Sequence, residues 1–181
     1  MSFPFGAPSR PRAPRRAVAA AAAAALLLAG CGNAAPGVVA YVGDTQIKEK
    51  QVESAVAALT TTVQEGQTVS TEAVINAMIQ GELSAQIARD RKITITDGQR
   101  EALLKTSQLA PLLNVAGAKT VAYDVADQQI VADKLGAAPY LAEVAKRTVT
   151  LNPRYGVLDA KQKVILEGQS GSLSSPAAPA P

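Results

Sequence analysis

The chain has 181 residues, 86 of them apolar, but 36 of those are alanine, so good helix formers outnumber the large side chains that fill a core. Histidine and tryptophan are absent and Cys31 is the single cysteine, which excludes imidazole-based acid–base or nucleophilic catalysis, an intramolecular disulfide and a Cys-based zinc site. The formal charge of +3 is local: Arg10, Arg12, Arg15 and Arg16 precede the first acid, Asp44, and the other 14 basic residues face 15 acidic ones, a net −1 that excludes a nucleic-acid footprint.

Residues 1–30 read as an export signal. A basic stretch ending in Arg15-Arg16 precedes an uncharged run from Ala17 to Gly30, 14 residues and too short for a permanent transmembrane helix. The run closes in Leu28-Ala29-Gly30-Cys31, which resembles the lipobox of bacterial lipoproteins. The resemblance implies cleavage between Gly30 and Cys31, a diacylglyceryl group on the Cys31 thiol, and a protein held at the outer face of the cytoplasmic membrane. Ala17-Val18-Ala19 after the arginine pair lack the rest of a twin-arginine motif, which favours general secretory export over that route. Residues 31–37 then form a lipidated spacer of small, turn-forming residues.

The folded domain is expected over residues 38–167. Val38 to Val42 is a β-branched and aromatic run closed by Gly43-Asp44, which predicts a strand entering a turn. Val52, Val56, Leu59 and Val63 predict an amphipathic helix from about Lys48 to Gln64, ended by Gly66. Ser70 is placed to cap a second helix whose buried face is Ile75, Met78, Ile79, Leu83 and Ile87, running to about Arg91. Thr96 and Gln99 fit a capping box that opens a third helix, broken at Pro111. A fourth helix beyond Gly117 is expected to turn Tyr123, Ile130, Val131 and Leu135 inward before Gly136, and Pro139 to open a short fifth through Lys146. Arg147 to Leu151 alternates as a strand stopped by Asn152-Pro153. The two strands, otherwise open-edged, are expected to pair as a two-stranded clip joining the N- and C-terminal segments of a mainly α domain. Residues 168–181, built from Gly, Ser, Pro, Ala, Gln and Leu without charge, read as a disordered tail.

The run Val39-Ala40-Tyr41-Val42-Gly43-Asp44-Thr45-Gln46-Ile47 before a helix resembles the opening of the SurA N-terminal chaperone domain, shared with PrsA-type foldases and trigger-factor-like proteins. Residues 81–100, with Arg91-Lys92-Ile93-Thr94-Ile95-Thr96-Asp97, resemble the next junction of that family. The closing strand with Asn152-Pro153-Arg154-Tyr155-Gly156 resembles small actinobacterial lipoproteins of the group. The resemblance implies a SurA-N-like helical cradle that holds unfolded or exported polypeptides without covalent chemistry. Many relatives carry a parvulin isomerase domain of about a hundred residues; this chain leaves no stretch for one and lacks its histidines, so the isomerase activity is not carried over.

No cofactor or metal is expected. Asp124, Asp127 and Asp133 on one helix are read as a solvated face. Asn152, Pro153, Arg154, Tyr155 and Gly156 are read either as a turn that packs Tyr155 on the helices or as an interaction motif. The rival to chaperone-like binding is an adaptor lipoprotein that docks one folded partner.

Overall fold

The computed structural model describes residues 35–63 and 68–166. The export signal, Gly30 and Cys31, the helix end at Gly66 and the tail 168–181 lie outside the described residues.

Strand β1, Val38–Val42, and strand β2, Thr45–Lys48, form a hairpin about Gly43-Asp44. Gly43 sits at φ +55°, the positive angle that a two-residue hairpin turn needs at its first central position. Strand β3, Val149–Leu151, pairs antiparallel with the other edge of β1, so the order is β2-β1-β3. As the central strand, β1 buries Val38, Val39, Ala40 and Val42. The pairing expected between the two ends of the domain is present, but the sheet has three strands and not two. Thr45-Gln46-Ile47-Lys48 buries only Ile47, so its sequence lacks an alternating apolar signal; the tight turn and the β1 ladder make it a strand. Arg147 lies outside β3 and instead pairs with Asp90 at 2.7 Å.

Five α-helices follow the hairpin: α1 Glu49–Thr60, α2 Thr71–Asp90, α3 Asp97–Lys105, α4 Ala116–Leu135 and α5 Ala137–Ala145. Short 3-10 turns occupy Ala110–Asn114, at the Pro111 break, and Pro153–Tyr155. Local chemistry sets several of these boundaries. Ser70 Oγ accepts from the Ala73 amide at the start of α2, and Thr96 and Gln99 exchange the two bonds of a capping box at the start of α3. The α1 helix ends at Thr60, earlier than its apolar spacing suggests, because Thr60, Thr61 and Thr62 turn their hydroxyls back onto the carbonyls of Val56, Ala58 and Leu59. Gly136, and not Pro139, is the boundary residue before α5.

The α2 helix is the spine. Ile75, Ile79, Leu83 and Ile87 are fully buried along one stripe, each worth roughly 1.5–3 kcal/mol relative to exposure. Against it lies α4, which adds Val121 and Val131 to the same core and also buries Ile130 and the small side chains Ala118, Ala122 and Ala126. Of the residues expected inward on α4, Ile130 and Val131 are buried, whereas Tyr123 and Leu135 are only half-buried. The alanine excess therefore serves close helix approach. A methyl group built on Gly81 of α2 would stand 2.4 Å from Asp124 Cβ of α4, and one on Gly117 of α4 would stand 2.8 Å from Ala58 Cβ of α1. A smaller cluster gathers Leu104 of α3 with Ala122, Ala126 and the partly buried Leu103, Leu109, Leu112 and Leu113.

The chain after the last 3-10 turn is fastened to α2. Leu158 and Ile165 form a bridge, the Ile165 amide donates to Asn76 Oδ1 at 2.7 Å, and Gln80 Nε2 donates to the carbonyls of Gln162 and Lys163, each at 3.0 Å. Among the described residues no helix is long and apolar enough to cross a membrane.

Candidate binding groove

The residues Asn152 to Gly156 do two things at once. The Asn152 amide donates to the Val39 carbonyl at 2.8 Å and its side-chain Nδ2 donates to the Val38 carbonyl at 3.2 Å, so the turn continues the β3–β1 ladder by one residue. Its Oδ1 accepts from the Arg154 amide at 3.2 Å and starts the 3-10 turn, with Pro153 at the first position, where the missing N–H costs nothing. The turn throws Arg154 and Tyr155 across to the first residue of α1. Tyr155 Oη donates to Glu49 Oε1 at 2.7 Å, Arg154 pairs with the same oxygen at 3.2 Å, and the guanidinium carbon stands 5.4 Å from the Tyr155 ring centre. Burial, and then the Glu49 carboxylate beside it, raise the Tyr155 phenol above its ordinary range, so at neutral pH it remains an O–H donor.

This staple walls one side of a groove of about 410 Å³ lined by Glu49, Val52, Glu53, Val56 and Ala57 of α1, Thr71 at the start of α2, and Tyr155. The α1 residues fall at i, i+3, i+4, i+7 and i+8, which places them on one helix face. Val52 is buried, Val56 and Tyr155 are half-buried, and Ala57 and Glu53 are exposed. The floor is therefore apolar and the rim acidic. Glu53 has no ion-pair partner among the described residues, and Glu72, next to Thr71, is held below the usual carboxylate range by a backbone N–H and by the Ser70 hydroxyl. Val157 and Leu166, 41% and 36% exposed, lie together just beyond Tyr155, joined by a 2.9 Å bond from the Leu166 amide to the Val157 carbonyl. A wider recess of about 610 Å³ is lined by Leu59, Val69, Leu109 and Leu112, and includes Val63 and Thr68, which flank residues 64–67 outside the described set.

A second concentration of charge corrects the reading of the α4 acids as a solvated face. Asp133 is exposed, but Asp127 is buried and receives Arg100 in a forked pair, Nε to Oδ1 at 2.6 Å and Nη2 to Oδ2 at 2.9 Å. The Arg100 guanidinium is raised above its ordinary range, first by that Asp127 bond, and also stacks 5.3 Å from the centre of the Tyr123 ring. Asp124 lies over Gly81 in a crevice of about 190 Å³ that also involves Glu82, Thr45 and Gln51. Burial, then the neighbouring Asp127 and Glu82 carboxylates, push Asp124 up to about 7, with Arg100 opposing. Glu82 itself is satisfied by the Thr45 hydroxyl and Gln86 amide, each at 3.0 Å, and by Arg89 at 3.4 Å. Among the described residues no group of three or more acidic or cysteine side chains is arranged to hold a metal ion.

The sequence reading of the motif at 152–156 does not extend to its partner. Glu49 is an ordinary first-turn acid on α1, and no local pattern links it to a tyrosine 106 residues away. For Asp124 a signal exists: an isolated glycine within the apolar run of α2 marks a place where another chain comes close. The chain matches no protein-family model, no curated protein and no solved structure in comparison with them.

Proposed function

We propose that the protein is a lipid-anchored, extracytoplasmic chaperone-like lipoprotein that holds non-native exported polypeptide and performs no covalent chemistry. The groove at Tyr155 carries this reading: an open trough with Val52, Val56, Ala57 and an aromatic ring along it, and hydrogen-bonding groups at its rim, suits an extended apolar segment. Its shallow floor and single aromatic supply few anchor contacts, which fits weak, client-tolerant binding better than a tight single complex. The SurA-N-like opening at Val39 to Ile47 and the closing Asn152 to Gly156 point to the same class of work. The membrane tether rests on Leu28 to Cys31.

The chain from residue 32 onward is expected to suppress aggregation of a denatured model protein at stoichiometric excess and to leave a proline-limited refolding reaction at its uncatalysed rate. Unchanged aggregation, together with crosslinking in cells to one stoichiometric folded protein, replaces this reading with the adaptor. Catalysed refolding makes the protein an enzyme. Cys31→Ala is expected to abolish fatty-acid labelling, and equal labelling of the variant and the wild type removes the anchor.

A further inference from the structure

We propose that the Tyr155 groove selects extended segments in which a short apolar stretch is flanked by lysine or arginine; the proposal rests on the groove being the client site. The floor formed by Val52, Val56 and the Tyr155 ring recognises the apolar part. Charge complementarity at the rim supplies the rest. Two carboxylates, Glu49 and Glu53, line the groove and no lysine or arginine does. Among the described residues, the cation paired with a lining carboxylate is Arg154, on Glu49, which leaves Glu53 on the exposed wall free of a described partner. Glu72 adds a third negative charge one residue beyond Thr71. The domain as a whole is close to neutral, so this preference is a property of the groove and not of a bulk field. A cation flanking a bound segment is attracted to Glu53 on the groove wall, whereas an acidic flank meets like charge there.

The test uses the full chain with Ala57, exposed at the groove rim, replaced by the photo-crosslinking residue benzoylphenylalanine. Three fluorescent peptides share the core Leu-Val-Ala-Leu-Val and are flanked on both sides by two lysines, two serines or two glutamates. The lysine-flanked peptide is expected to label roughly 3- to 10-fold more than the glutamate-flanked one in low salt, with the ratio shrinking as salt rises. Glu53→Gln, an exposed change that leaves the staple intact, is expected to remove much of that ratio. Equal labelling by all three peptides overturns the cationic preference and leaves the groove as the client site. Labelling by none above the level of the crosslinker placed at exposed Thr94, on the chain between α2 and α3, overturns both the preference and the client site.

Discussion

An arginine meets a carboxylate at both ends of this domain's chemistry, and the surroundings make the two meetings unequal. At the groove, Arg154 and Glu49 are 63% and 37% exposed, and water solvates both whether or not they touch. Around α4, Arg100 of α3 and Asp127 of α4 are 21% and 11% exposed, the bond is forked, and a second α4 carboxylate, Asp124, is wedged beside them over Gly81 at the α2–α4 seam. An exposed pair contributes about 0–1 kcal/mol and leaves its side chains available to a ligand. A buried pair is costly to break and fixes the packing around it. The same residue types thus serve recognition at one place and architecture at the other, and burial decides which.

The largest expected effect is at the seam. Gly81→Ala places a methyl group 2.4 Å from Asp124 Cβ and 2.5 Å from its Oδ1, so α2 and α4 must separate along their principal contact. A loss of about 3 kcal/mol is expected, read as a lower urea midpoint with an unchanged slope. An unshifted midpoint shows that the seam accommodates the methyl group and that its tightness does not stabilise the domain.

The next effect is a pH dependence. Asp124 has a folded-state value of about 7 against an ordinary 3.8, so between those values the folded chain holds a proton that the unfolded chain has released. Its contribution is fully present below pH 3.8 and is lost as pH rises toward 7, on the order of 2 kcal/mol after allowance for partial solvation in the crevice. Glu143 acts oppositely. Lys146 and Arg91 hold it down to about 2, so what it contributes is present above its ordinary value and lost only as pH falls toward 2. The wild type is therefore expected to melt at a higher temperature at pH 5 than at pH 8. Asp124→Asn is expected to flatten that difference, and an unchanged slope in the variant places the titration elsewhere.

These two regions also differ in how far the sequence reveals them. Caps are local, so Ser70 with Ala73 and Thr96 with Gln99 are readable within four residues, and the helices they open stand where periodicity places them. Strand β2 is not readable as a strand, because Ile47 is its one buried side chain and its partner supplies the rest. The inward face of α4 is understated for a related reason. Ala118, Ala122 and Ala126 recur at helical spacing, but alanine marks an apolar stripe weakly, and the role of Ala122 and Ala126 appears only when Leu104 of α3 and the leucines around the Ala110–Asn114 turn pack against them. Arg100 with Asp127, and Glu49 with Tyr155, join positions 27 and 106 residues apart, beyond the reach of any local pattern. The motif at 152–156 is visible as a turn, while the groove it helps to build depends on α1.

The smallest stability effects belong to the groove, where two substitutions separate recognition from folding. Tyr155→Phe removes the hydroxyl that donates to Glu49 at 2.7 Å and accepts a long bond from Arg154 at 3.4 Å, at a position partly open to water, and about 0.5–1 kcal/mol is expected. The ring stays, so crosslinking of the lysine-flanked peptide at Ala57 is expected to persist. Arg154→Ala removes a cation that is 63% exposed, for which a stability change within about 0.5 kcal/mol is expected. It also releases Glu49 to face the groove as an uncompensated charge, so the ratio of lysine-flanked to glutamate-flanked labelling is expected to rise above that of the wild type. A ratio that falls instead means that Arg154 itself meets the bound peptide, and that the staple, more than the acids behind it, sets which segment the groove accepts.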